Sequence, residues 1–449
     1  MGIMQRLMGL IRGYSIRGPV AAMALSILCA LCFARPCFGY SVIIHEAVID
    51  AEWDSRIMPF LRERFPKVTP QELREAKSYA YGGSVIQDLG YYPFSHNFFS
   101  HLTHYVRSGS FVQALFEESH DINDYAFALG ALSHYCADIQ GHSLGVNRIV
   151  PLLYPKLHKK YGDVMTWEDS PWAHALTEFG FDTLEVVAGH VAPQKYHEYI
   201  GFRVPEPVLK RAFRKTYGLE LPDQTVSLRL ALFTYRKMAS RFIPEMTEVA
   251  WAGRGKTLEE RATGLGHRSL FHLRGAAIEA SWEKTRERPG VGDKLTAFVF
   301  RVIPKVGPLN AFDFHTPTEE AEQLFSDSLK ATVADYEVRV GNARFDPPDI
   351  NLDTGRLTRP GEYHYGDMAF AKLLHELQRT HFATITPALQ DKLLGFYSDS
   401  TYNSMRPKAR QWRRIQRELE QLKAASKANS SPLTTQSRPD SIHASIHTE

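Results

Sequence analysis

The sequence predicts an all-α protein: a multi-helix bundle with an additional helical region toward the C-terminus. Three observations carry this prediction. Two-residue alternation of apolar and polar side chains is scarce along the 449 residues. The segment Asp124–Gln140, DYAFALGALSHYCADIQ, is apolar almost all round, as a helix buried on every side must be. Further along, apolar residues recur at helical spacing in one segment after another. With 44% hydrophobic and 23% charged residues, the composition is that of a globular protein. It excludes a disordered, collagenous or multi-span membrane protein.

The N-terminus reads as a secretory signal over residues 1–39. Arg6, Arg12 and Arg17 precede an apolar run from Val20 to Phe33. That run is shorter than the roughly 20 residues a spanning helix needs, but normal for a signal core. Small residues at −3 and −1 mark two cleavage sites, Cys32-Phe33-Ala34 and Cys37-Phe38-Gly39. The second leaves Tyr40 as the new N-terminus. An uncleaved membrane anchor is the competing reading. The net charge is +3 for the whole chain and −1 without residues 1–39, which hold four arginines and no acid. An overall nucleic-acid-binding charge is therefore absent. Cleavage after Gly39 leaves Cys136 as the sole cysteine, hence no internal disulfide. Cleavage after Ala34 would keep Cys37 available to pair with it.

In the mature chain, Val42–Trp53 places Ile44, Ala47, Val48 and Ala51 on one helical face. A polar helix opens at Pro70 with Thr69 as N-cap. The Gly/Pro-punctuated stretch Tyr81–Asn97 reads as a loop. Asp121 or Asp124 caps the apolar helix, and Gly141 fits its stop. Another helix opens at Asp169-Ser170-Pro171, a cap followed by proline at the first helical position. Helical pattern returns at Pro207–Tyr217, Val226–Val249, Thr318–Val338, Met368–Leu377 and Arg406–Ala425. In the last, Trp412, Ile415, Leu419 and Leu422 form a stripe for docking on the body or on a partner helix. Leu295–Ile303 is strongly apolar and reads as a buried element ended by Pro304, with contact to lipid as the competing reading. The expected domains are thus an aromatic- and histidine-rich region over 40–200, a helical region over 201–425 and a disordered tail over 426–449.

Eleven of the 19 histidines fall between Tyr40 and Gly201, so metal chemistry belongs to this half. His134 and Asp138 are four apart on the apolar helix and share a face. A buried carboxylate needs a partner, and that segment offers no Lys or Arg. A hydrogen-bonded pair in a core would satisfy it, and so would zinc. His174 and Glu178 repeat the spacing, and His142 follows the first pair directly. Nitrogen and oxygen donors of this kind suit zinc. Asp88, His104 and His45 complete the candidates, with His101 competing for the place of His104. The freed amine and carbonyl of Tyr40 would chelate a metal after cleavage. His45-Glu46 is not a zincin motif, because position 49 is Ile49. His96, His120, His158, His190 and His197 lack a carboxylate at matching spacing and read as surface or core residues.

Across about residues 40–185, these landmarks resemble the zinc-dependent phospholipase C family, akin to single-strand-specific zinc nucleases. The resemblance is carried, in order, by Tyr40 and His45, Gly83-Ser84…Asp88, His104-Tyr105, His134-Tyr135-Cys136-Ala137-Asp138, His142 and His174-x-x-x-Glu178-Phe179. It implies an α-helical bundle holding up to three zinc ions. By that analogy Asp88, His104, His134 and Asp138 hold one, and His142, His174 and Glu178 a second. Tyr40 and His45 hold the third, with Asp138 bridging. The chain departs from the family in starting with Tyr rather than Trp, and in having three residues between Asp138 and His142 where five are usual.

The chemistry so implied is phosphodiester hydrolysis by a zinc-bound hydroxide, with Asp88 and Asp138 as catalytic carboxylates. A phospholipase C acting on a membrane or phospholipid substrate is favoured by Glu178 in place of Asp and by the near-zero mature charge. A single-strand nuclease is supported by the tight Tyr40-to-His45 spacing, yet no basic groove with stacking aromatics stands out. A non-catalytic zinc-stabilised protein is the third reading. Tyr91, Tyr92, Phe94, Phe98 and Phe99 either line an apolar rim or pack as an ordinary aromatic loop. The expected localisation is outside the cytoplasm.

Overall fold

The structure is a computed structural model that describes residues 42–192, 194–265, 314–399 and 409–430. The expected signal segment, Tyr40, Leu295–Ile303 and residues 431–449 lie outside the described residues. Helices dominate, and among the described residues β-structure is limited to isolated bridges such as Asn351 with Arg356. Among them, no helix is long and apolar enough to cross a membrane.

The first expected helix is α1, Val42–Glu52, buried on nearly every side. It continues through a π turn into α2, Met58–Arg64. The Pro70 helix is α3, Pro70–Gly83, opened by a complete capping box: the Thr69 hydroxyl accepts from the Glu72 amide and the Glu72 carboxylate accepts from the Thr69 amide. The stretch read as a loop after Tyr81 differs. Its first residues finish α3, and Ile86–Tyr91 form a buried 3-10 turn. Backbone buried this deeply must pair its own polar groups, which a 3-10 turn does and an open loop does not.

Next come α4, Asn97–Tyr105, and α5, Ser108–Glu117, two helices without an obvious sequence signature. The apolar segment is α6, Ile122–Gln140, with Asp121 accepting from the Asn123 and Asp124 amides. Gly141 does not stop it. Its φ of −63° and ψ of −44° are right-handed helical, and the chain runs on through a π turn, Gly141–Val146. The short helices α7, Asn147–Leu153, and α8, Pro155–Tyr161, lead to α9, Pro171–Ala188, capped by Ser170. Beyond it lie α10, Gln194–Ile200, α11, Glu206–Tyr217, and α12, Leu228–Lys237. The segment expected as one helix over Val226–Val249 is α12, a π turn at Met238–Phe242 and α13, Ile243–Leu265. After the undescribed stretch come α14, Glu319–Gly341, α15, His364–Arg379, α16, Pro387–Ser398, and α17, Ala409–Ser430.

Helix α6 is the axis of the first compact unit, which runs to Phe370. Packed around it are α3, α5 and α14. Helix α3 approaches closely because Gly83 and Gly130 face each other's backbones: a Cβ on Gly130 would stand 2.1 Å from the Ala80 carbonyl oxygen. A side chain at either place would force the helices apart. Helix α14 stacks Phe325 flat on Phe181 of α9, ring centroids 4.2 Å apart, in a core that also holds Ile44, Val48, Leu176 and Trp251. Residues beyond 318 therefore belong to the packing that surrounds α6. Cys136 sits in α6 as a buried free thiol. The second unit, from Ala371, contains α16 and α17. In α17, Ile415 and Leu422 of the apolar stripe are fully buried, and Glu418 beside them accepts from His375 Nδ1 at 2.8 Å.

Candidate metal centre

Helix α6 carries His134 and Asp138 one turn apart, both without exposure to solvent. Burial of a histidine and a carboxylate in so apolar a helix is costly unless their polar atoms are engaged. What they meet is other ligand-type side chains. The two oxygens of Asp138 divide four histidines between them. Oδ2 lies 3.1 Å from His104 Nε2 and 3.1 Å from His134 Nε2. Oδ1 lies 3.5 Å from His45 Nε2 and 3.9 Å from His142 Nε2. Asp88, from the 3-10 turn, adds Oδ1 at 3.3 Å from His104 Nε2. The Nε2 atoms of His104 and His134 are themselves 3.4 Å apart.

The far nitrogens fix the orientation of these rings. His134 Nδ1 donates to the Ser84 carbonyl at 2.9 Å and His104 Nδ1 to the Ser100 carbonyl at 2.8 Å. Both carbonyls can only accept, so in the neutral form of each ring Nε2 carries the lone pair that faces inward. His174, in the first turns of α9, uses the opposite tautomer: Nε2 donates to the Met165 carbonyl at 2.7 Å, leaving Nδ1 aimed at Glu178, 4.0 Å away. This outer support is what a metal-ligating imidazole requires.

Several of these ligand atoms lack hydrogen-bond partners. Both oxygens of Asp138, both of Glu178, Asp88 Oδ1 and His174 Nδ1 are buried and make none. Each such group would cost about 1–3 kcal/mol if nothing satisfied it. Their close but poorly directed approach is that of ligands converging on a point between them. Three groups have ligand atoms within 4.8 Å of one another: His45, His134 and Asp138; Asp88, His104 and His134; and His142, His174 and Glu178. The donor set of imidazole nitrogens and carboxylate oxygens fits zinc.

Without an ion the centre is electrostatically divided. Burial works to lower the His104 pKa, but Asp138 and Asp88 outweigh it and push it up to about 10. Burial likewise opposes charge on Asp138, yet His134, His104 and His142 hold its carboxyl well below the usual carboxylate range. At the other group burial wins. It lowers His174 to about 4 and pushes Glu178 well up, reinforced there by Asp138 and Asp88. A neutral His174 and a protonated Glu178 have one proton to give up when a cation arrives.

Every described residue of the expected ligand set is thus gathered in one place. Tyr40 lies outside the described residues. His104, not His101, faces the centre. His101 stacks on Tyr365, ring centroids 4.9 Å apart. His142 reaches Asp138 because the chain stays helical through Gly141, which puts residues four apart on one face.

Residues 51–222 match the family model for zinc dependent phospholipase C. That segment, 172 of the 449 residues, is similar to the zinc-dependent phospholipase C family. No curated protein and no solved structure matches the chain.

Some partners of these histidines are not marked by any spacing in the sequence. Asp353, far beyond the family segment, places Oδ1 3.4 Å from His142 Nδ1. Nothing at helical or turn spacing connects the two. Three histidines without a carboxylate at matching spacing also have acidic partners in space. His158 pairs with Asp163 at 2.7 Å and His190 with Glu185 at 2.8 Å. His197 Nδ1 lies 2.8 Å from Glu46 and its Nε2 3.0 Å from Asp50, which also pairs with Lys77 at 2.7 Å. Glu46 and Asp50 of that network lie on α1, the helix that also carries His45. The Asp182 carboxylate of α9 accepts from the Ile43 and Ile44 amides at the start of α1. It anchors the helix beside which the mature N-terminus would begin.

Proposed function

We propose that the chain is an exported zinc-dependent phospholipase C that cleaves glycerophospholipids into diacylglycerol and a phosphorylated headgroup. The observation that carries this reading is the buried cluster centred on Asp138, in which four histidines share one carboxylate. Zinc, when bound, supplies positive charge for a phosphoryl group and acidifies water near neutral pH. Asp88, His104, His134 and Asp138 would hold one ion, His142, His174 and Glu178 a second, and His45 with Asp138 a third. Asp138 offsets cationic charge for more than one of these groups. Asp88, 4% exposed, faces His104 Nε2 through Oδ1, and a carboxyl oxygen left unligated there would serve to take a proton from an attacking water.

Lipid rather than nucleic acid is supported by the surroundings. Tyr92, Phe98 and Phe99 are buried as core, so the aromatic stretch does not form a rim as a whole. Tyr91 stays half-buried, 6.1 Å from His104 and 6.0 Å from Trp167 by ring centroids. Next to this turn, the Phe94 carbonyl accepts from the Val226 amide, and α12 exposes Leu230 and Phe233 with Arg229 and Lys237. An apolar face with basic residues and no acid on the helix suits a lipid surface.

Export ties to the third ion. Cleavage after Gly39 would free the Tyr40 amine, whose pKa in model peptides is about 8, for chelation beside His45. N-terminal sequencing of secreted protein should begin at Tyr40; a mature chain beginning at Arg35 would exclude this chelate. Purified chain should hydrolyse phosphatidylcholine micelles, lose that activity to a chelator, regain it with zinc, and leave single-stranded DNA intact. Chelator-sensitive cleavage of the DNA alone would assign the centre to a nuclease instead.

A further inference from the structure

Three of the centre's histidines have their outward nitrogen held by a backbone carbonyl: His134 by Ser84, His104 by Ser100 and His174 by Met165. His142 differs. The group opposite its Nδ1 is the carboxylate of Asp353, contributed by a turn well beyond residue 222, where the family match ends. We propose that Asp353 is a positioning residue of the metal centre, orienting the His142 imidazole through Nδ1 so that Nε2 is the nitrogen offered to a metal ion. This rests on the metal reading of the centre.

The carboxylate is fixed from several directions. Its Oδ2 accepts from the Trp167 amide at 2.9 Å and from the Tyr363 hydroxyl at 2.8 Å. Those two donors leave Oδ1, which accepts no hydrogen bond, facing His142 Nδ1 at 3.4 Å. The turn itself is closed by Asn351, whose side-chain oxygen accepts from the amides of Asp353 at 2.9 Å and Thr354 at 3.2 Å. It is pinned to the body at two places. The Leu352 amide donates to the carbonyl of His104 at 3.0 Å, and Asn147 donates to the carbonyl of Asp353 at 2.8 Å. One of these anchors is a residue of the centre and the other begins α7, directly after the π turn that carries His142. Asp353 and His142 are 3% and 4% exposed, so water does not compete for either group.

A carboxylate in this place does more than a carbonyl can. It fixes the tautomer and also raises the basicity of the imidazole toward a cation. The region beyond the family segment then completes the second metal group rather than merely covering it. The rival role is a brace that ties Trp167 to Tyr363 and does nothing through His142.

Zinc retention separates the two roles, read on the full chain without lipid. Asp353→Asn keeps the size and removes the charge. It should weaken zinc held by His142, His174 and Glu178 about 10–100-fold in competition with a chelator. Zinc held by Asp88, His104 and His134 should stay at the wild-type level. Tyr363→Phe removes one donor to Oδ2 and leaves Oδ1 in place, so it should retain zinc as the wild type does. Equal zinc retention in Asp353→Asn and wild type overturns the proposal. So does equal weakening in Asp353→Asn and Tyr363→Phe. A second measurement needs no variant of Asp353. Nitrogen-15 NMR of histidine-labelled, zinc-loaded wild type should show His142 protonated at Nδ1; protonation at Nε2 overturns the proposal even if Asp353→Asn does not fold. A chain that retains zinc in this way but cleaves no phospholipid would remove the proposed function and leave this inference standing.

Discussion

Glu178 and His174 show how a side chain's surroundings dictate its task. Both are fully buried, burial drives both toward neutrality, and neither Glu178 oxygen makes a hydrogen bond. Such a pair is expensive as core and useful as a metal site. His174→Ala and Glu178→Ala should each lower zinc stoichiometry by about one ion while the chain stays folded, because the other ligand groups are untouched. Unchanged zinc in both variants would make the pair a structural feature of α9. A second expectation concerns His197. Burial alone would lower its pKa, but Glu46 and Asp50 push it up to about 10 from 6.5. A raised folded pKa stabilises most below about 6.5, and that contribution is lost as pH climbs through about 10, at about 1.4 kcal/mol per unit. Denaturant unfolding from pH 7 to 10 should therefore show wild type losing stability that His197→Gln does not lose. Parallel curves would show that His197 is not charged in the fold. The residues at helical spacing, His134 with Asp138 and His174 with Glu178, were legible in the sequence because a helix turns spacing into adjacency. Asp353 and the partners of His197 were not, because only tertiary packing brings those distant residues together.

Among the elements, α3 and α6 matter most, since their approach delivers the Ser84 carbonyl to His134. That approach depends on bare backbone at Gly83 and Gly130. Gly130→Ala would put a methyl group 2.1 Å from the Ala80 carbonyl oxygen, so α3 must shift. Overpacking of this kind costs about 1–3 kcal/mol. The variant should melt at lower temperature and release zinc faster than wild type; wild-type melting would show that the helices are not held this tightly. Helices α1, α3, α6 and α9 were readable from apolar spacing, a capping box and a proline at the first turn. The 3-10 turn over Ile86–Tyr91 was not, since Gly and Pro in that stretch signal a loop equally well. Nor was the π turn after Gly141, for a glycine at a helix end normally marks a stop.

On the scale of the whole molecule, the family segment does not stand alone. Helix α14 packs on α6, Phe325 stacks on Phe181, and Asp353 reaches His142. The sequence suggested a self-contained region ending near residue 200 because the recognisable histidine motifs end there. Motifs report chemistry, whereas the packing that holds it extends to Phe370 within the first unit. Within that unit the Asp138 carboxylate faces four histidines. Metal analysis of the folded full chain, dialysed with zinc and then against zinc-free buffer, tests that centre directly when run beside Asp138→Asn. The account predicts two or three zinc ions per wild-type chain, as the three ligand groups allow, and a loss of at least one in the variant. A folded wild-type chain that holds no zinc, or an Asp138→Asn chain that holds as much as wild type, would contradict it.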